Sequence, residues 1–202
     1  MPDFFEFPPT RSNRVKWALL ELDVAYTSHL VDLRVGEHHS DAYKAIHPLE
    51  VVPAYRCEDY TMFESVATVM QLIDEHPNSG LAPPPASPAR AAYYQWCVFA
   101  SAELDPALAD VMLHTMHLAS AQRVPAIAER GRERFHARAQ MLALTLQDRD
   151  YILGEQFSGA DIVLGYCCNW AAYTGMIGAH PGLEAYYARL AERPAFAQVF
   201  PS

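Results

Sequence analysis

Apolar and polar positions alternate in two rhythms over the first eighty residues. Residues 3–7, DFFEF, are short and aromatic-rich, which predicts a strand. Val15, Ala18, Leu19 and Leu22 recur at i, i+3, i+4 and i+7, so 14–22 reads as a helix with one apolar face. A second strand is expected over 26–33. The runs 53–57 and 60–63 suggest a hairpin around Glu58-Asp59, although no glycine eases the turn. Val66, Val69, Met70 and Ile73 then mark a helix over 65–74. The order is βαβ, an irregular segment, and ββα.

Residues 77–88, PNSGLAPPPASP, hold five of the chain's 15 prolines, and no helix or central strand continues through such a run. Beyond it the rhythm is helical throughout. A long segment over 90–118 is interrupted by Pro106, where a kink or break is expected. Residues 126–147 carry the basic run RGRERFHAR, the mark of a solvated helix face. Ser158-Gly159-Ala160-Asp161 has the S-x-x-D form of a capping box ahead of an apolar helix over 162–172. Shorter helices near 183–192 and 194–199 follow. The expected organisation is an α/β domain over 1–76, a linker over 77–88 and an all-α domain over 89–202.

Composition narrows the chemistry. A net charge of −9 argues against nucleic acid, whose phosphates call for a basic face. Through Gly80 there are six Lys/Arg against thirteen Asp/Glu, a balance of −7, so an anionic ligand there needs specific donors. No apolar run is long enough to span a bilayer, and the first residues lack a basic patch before an apolar stretch. A cytoplasmic protein is expected. Cys57, Cys97, Cys167 and Cys168 form neither a CxxC nor a zinc spacing and read as reduced thiols. His114 and His117 lie on one helix after Asp110, too few ligands for a metal site, so none is expected. Tyr93, Tyr94, Trp96, Phe99, Met112 and Met116 suit a core, or in part an apolar co-substrate pocket.

Four motifs in order carry a resemblance. TRSNRVKWALLEL at 10–22, GEHHS with IHP at 36–48, Val52-Pro53-Ala54 followed by Phe63-Glu64-Ser65, and FSGADI at 157–162 together resemble the cytosolic glutathione transferases. The likeness is to bacterial and fungal members of theta-like or S-R-S-x-R type, with an atypical first loop. It implies a thioredoxin-like N-terminal domain and a helical C-terminal domain. It also implies glutathione as co-substrate, a small hydrophobic electrophile and a homodimer, without nucleic acid or membrane. In the family the proline of the Val-Pro pair is cis, so Val52 is expected to pair through its backbone with the cysteinyl unit of glutathione. Ser65, at a helix start, is expected to meet the γ-glutamyl carboxylate, and Glu64 its amino group. His38 and His39 stand where some relatives reach the glycyl carboxylate. Glu50, just ahead of Val52-Pro53, is expected to repel that carboxylate.

Thiol activation is the open question. The family places a Tyr, Ser or Cys after the first strand to stabilise the thiolate, which is the nucleophile. Here the loop is Phe7-Pro8-Pro9-Thr10-Arg11-Ser12-Asn13-Arg14. One alignment puts the key position on Pro9, which has no donor; another puts it on Thr10. Thr10 and Ser12 are therefore both candidate catalytic hydroxyls. A reductase normally has a cysteine in this loop, and an isomerase of the maleylacetoacetate type a serine-cysteine run. The alternative outside enzymology is a non-catalytic ligand carrier or adaptor on the same scaffold.

Overall fold

A computed structural model describes residues 1–201. The chain divides into two units, one formed by residues 1–82 with 194 onward and the other by 83–193. The division at 82/83 falls inside the proline-rich run.

The first unit is built on a four-stranded sheet in the order β2-β1-β3-β4. β1 (Asp3–Glu6) pairs parallel to β2 (Thr27–Leu30) and antiparallel to β3 (Ala54–Arg56), which pairs antiparallel with β4 (Thr61–Phe63). The parallel pair needs a crossover, and α1 (Ser12–Glu21) provides it. The β3–β4 turn closes without glycine through Cys57 N–H donating to Tyr60 O at 2.9 Å. Phe5 sits beside His29 and Ala54 in register, and with Val31, Tyr43 and Val52 forms one apolar cluster. α1 packs against α3 (Ser65–Glu75) and buries Val15, Trp17, Ala18 and Leu19. The buried stripe of α3 is Ser65, Thr68, Val69, Leu72 and Ile73, turned slightly from the expected one, with Val66 and Met70 at its margin. The irregular segment contains a 3-10 turn (Glu37–His39) and a one-turn helix α2 (Asp41–Lys44), which Ser40 caps by accepting from Tyr43 N–H.

The last helix, α9 (Pro194–Val199), belongs to this unit and not to the helical one. Phe196 meets Trp17 edge to face at 5.2 Å, and Asn13 Nδ2 donates to Val199 O at 3.1 Å. Nothing in the pattern of 194–199 distinguishes these partners from those of a helical bundle.

The second unit is helical: α4 (Pro88–Phe99), α5 (Asp105–Met112), α6 (Pro125–Thr145), α7 (Gly159–Tyr173) and α8 (Pro181–Ala191). Pro106 does not break the rod. A π-type turn over Ala100–Leu104 widens the backbone just ahead of it, where a proline cannot donate to the preceding turn. α6 closes on α5 at Gly131, where a Cβ would lie 2.7 Å from Ala107 O. α7 is buried continuously from Gly159 to Cys168. Asp161 organises its start by accepting from Ser158 N–H and Oγ–H, Ile152 N–H and Tyr186 O–H at 2.7–2.8 Å.

Candidate functional site

The first loop separates its two hydroxyls. Thr10 is half-buried, whereas Ser12 is fully buried. Their oxygens lie 2.8 Å apart. Ser12 N–H donates to Thr10 Oγ1 at 3.2 Å, and Phe7 N–H donates to Ser12 Oγ at 3.3 Å. Pro8-Pro9 is cis, and Pro9 is exposed with no proton to offer. Ser12 opens α1, so both hydroxyls sit at the positive end of a ten-residue helix.

The segment ahead of β3 brings together the second group of candidates. Val52-Pro53 is cis, as the resemblance implied. Among the described residues no hydrogen bond uses the Val52 amide or carbonyl, and Tyr43 O–H holds the preceding carbonyl, Val51 O, at 2.7 Å. The expected effect of Glu50 needs correcting. His39 Nδ1 lies 2.5 Å from Glu50 Oε2, and Lys44 Nζ lies 3.7 Å from Oε1. The His39 contact holds the Glu50 carboxyl below its usual range, with Lys44 adding to the effect. The carboxylate is thus compensated where it was expected to repel. His38 tilts against His39 at 3.8 Å between ring centres.

The third group is the start of α3. Glu64 has φ 72 and ψ 97, a left-handed backbone that a glutamate adopts at a cost. Its side chain is exposed and caps nothing. Ser65 is buried, and its Oγ accepts from Arg14 Nη1 at 3.4 Å. Among the described residues no hydrogen bond is made by the N–H groups of Ser65, Val66 and Ala67, which leaves the positive end of the helix uncapped. His47 is buried, stacks on Phe63 at 4.7 Å, and accepts from Leu49 N–H through Nδ1. Burial lowers its pKa below the ordinary histidine value.

Direct contacts tie the three groups together within one unit. Ser12 and Arg14 share the first turn of α1, and Arg14 reaches Ser65. His47 links the turn after α2 to Phe63-Glu64, while Tyr43 and His39 hold 50–52. Sequence reasoning missed Arg14, Tyr43 and His47. An arginine beside an otherwise apolar helical stripe was the available signal for the first. The other candidates belong to the second unit: His114 Nδ1 accepts from Val124 N–H and Asp110 pairs with Arg130. Among the described residues no cluster of three metal-ligating side chains occurs, and no helix is long and apolar enough to cross a membrane. Tyr93, Trp96 and Met112 are buried, whereas Tyr94 and Met116 are exposed. A cavity of about 930 Å³ between the end of α6 and the start of α8 contains none of the candidate residues.

Two family models match in chain order: the glutathione S-transferase N-terminal domain over residues 5–83 and the glutathione S-transferase C-terminal domain over 125–189. The chain is similar to glutathione S-transferase A of Pleuronectes platessa, 27% identical over 183 residues, covering 88% of this chain and 80% of that protein. It is also similar to the crystal structure of a glutathione transferase homologue from Sulfitobacter with bound glutathione. There the TM-score is 0.84 and the identity 27%, covering 98% of this chain and 96% of that one. Glutathione transferase F7 of Populus trichocarpa shares the fold at a TM-score of 0.89 and 22% identity, covering 98% and 97%. With a sheet unit and a helical unit that each match the corresponding domain, this chain belongs to the glutathione S-transferase family.

Proposed function

We propose that the protein is a glutathione transferase that conjugates glutathione to a small apolar electrophile, holding the peptide in the first unit. The observation that carries this reading is the start of α3. Ser65 is buried and fixed by Arg14, three successive amides are uncapped, and Glu64 is held in a strained backbone. Such a helix start receives a carboxylate, here that of the γ-glutamyl unit. The uncapped amides provide the specific donors that a unit with a balance of −7 requires, with Arg14 buried behind Ser65. The exposed Glu64 is assigned to the ligand's amino group. The unused backbone of Val52 pairs with the cysteinyl unit as a short antiparallel strand. His38 and His39 flank the glycyl end, His39 already engaged by Glu50.

Thr10, at the surface of the first loop, is assigned as the hydroxyl that meets the sulfur. The bound thiol loses its proton to water, and the thiolate attacks an electrophilic carbon. The S–C bond forms as the carbon–leaving group bond breaks, and the leaving group departs with its electron pair. Isothermal calorimetry with glutathione is expected to show saturable binding. Ser65→Ala should weaken it by about 1–3 kcal/mol, the usual cost of removing a hydrogen bond to a charged group. A folded protein that gives no heat at millimolar glutathione overturns the reading. Binding without conjugation of a reactive aryl halide favours a ligand carrier.

The same reading places the protein in the cytoplasm as a C2 homodimer, the commonest closed symmetry. Tyr94 and Val98, one turn apart on α4, are exposed at 42% and 56% and suit an apolar contact. Light scattering at micromolar concentration should give about twice 22.6 kDa. A mass near one chain rules the dimer out.

A further inference from the structure

The proton directions in the first loop follow from counting donors and acceptors. Ser12 is 0% exposed, so its hydroxyl proton cannot go to water. Among the described residues its Oγ has two neighbours: Phe7 N–H, which can only donate to it, and Thr10 Oγ1. A buried O–H without an acceptor is rare in folded chains. The Ser12 proton must therefore point to Thr10 Oγ1. That oxygen already accepts from Ser12 N–H, so both of its lone pairs are filled. The only hydrogen-bonding capacity left on the hydroxyl of the half-buried Thr10 is its own O–H. Were the direction reversed, Thr10 would spend its proton on Ser12 and present a lone pair, which repels an anion.

We infer that Ser12 is a positioning residue for thiolate stabilisation, setting a one-way chain from Phe7 N–H through Ser12 O–H to Thr10 O–H, which leaves Thr10 a donor only. This rests on the proposed transferase reading and extends it by assigning the two hydroxyls different tasks. Thr10 touches the sulfur; Ser12 acts through Thr10 and never meets the ligand. Each donor in the chain polarises the next, so the terminal O–H is a stronger donor than an isolated threonine. No proton need travel along the chain. The loop thereby compensates for Pro9, which stands at one alignment of the key position with nothing to donate.

The experiment titrates the thiolate absorbance of glutathione bound to the parent protein and to Ser12→Ala, with binding of S-methylglutathione measured in parallel. That analogue has no ionisable thiol and isolates the peptide site. Ser12→Ala is expected to raise the bound thiol's pKa by about one unit, a roughly tenfold loss of thiolate near neutrality. Affinity for S-methylglutathione should stay within about twofold, and thiolate should be restored at high pH. An unchanged titration overturns the inference, as does an equal loss of thiolate at every pH. If Ser12→Ala does not fold, Ser12→Cys puts a slightly larger group with a weak donor there, and the same upward shift is required of it once the thiolate absorbance of the ligand-free variant is subtracted. Failure of the parent to bind S-methylglutathione would instead remove the transferase reading itself, so the two failures are distinguishable.

Discussion

Two helices of this protein begin with a serine and a carboxylate close by, and they use the pair in opposite ways. At α7 the side chains face inward. Asp161 is fully buried and meets four donors, so the helix start is closed. At α3 the order is reversed, Glu64 before Ser65. The glutamate turns out to solvent on a left-handed backbone, and the first amides stay uncapped. A satisfied helix start is a joint; an unsatisfied one leaves backbone donors unused. What separates them is whether the acid stands inside the first turn, where it reaches back, or ahead of it, where it cannot.

Asp161→Ala tests the closed end and should have the largest effect. It strands Ile152 N–H, Ser158 N–H and Tyr186 O–H in a buried site, at a cost of about 3–5 kcal/mol of stability. Denaturant melts should show the loss, while glutathione affinity of the remaining folded protein stays unchanged. A loss under about 1 kcal/mol would mean that the closed network is not a joint. Glu64→Gly tests the open end with the opposite sign. Glycine relieves the left-handed backbone, so stability should rise by about 1 kcal/mol while glutathione binding weakens. If both fall together, Glu64 is structural and the comparison breaks.

The smallest effect is expected from pH. Burial lowers the pKa of His47 beside Phe63-Glu64, and that of His180 at the start of α8. The unfolded chain therefore takes up these protons first, near pH 6.5. Stability is full above that value and declines as pH falls through the window below it. His47→Gln should flatten the decline in thermal midpoint between pH 7 and pH 5 in part, and His47→Gln with His180→Gln more. An unaltered slope in both variants would assign acid sensitivity elsewhere.

The strand and helix order of the first unit could be read from the chain because alternation and the 3.6-residue period are local. The capping box at Ser158 was legible for the same reason, since both partners lie in one turn. The compensation of Glu50 by His39 and Lys44 was not, because a left-handed residue at Glu50 folds the segment back on the turn before α2. Arg14 at Ser65 was equally hidden: the contact joins two helix starts 51 positions apart. Thr10 and Ser12 were visible as a pair, but only burial tells which one can face a ligand. The unit to which α9 belongs depends on Trp17 and Asn13, far away in sequence.

That return of the chain has a consequence for synthesis. The proposed glutathione-binding unit is not complete when the ribosome reaches the linker; it waits until all of 83–193 and α9 have emerged. Until then the edge of Trp17 lacks Phe196, and Asn13 Nδ2 lacks its carbonyl. The helical unit, continuous in sequence, is free to fold earlier. The part made first is thus finished last: the first unit is completed only after all of 83–193 has been synthesised.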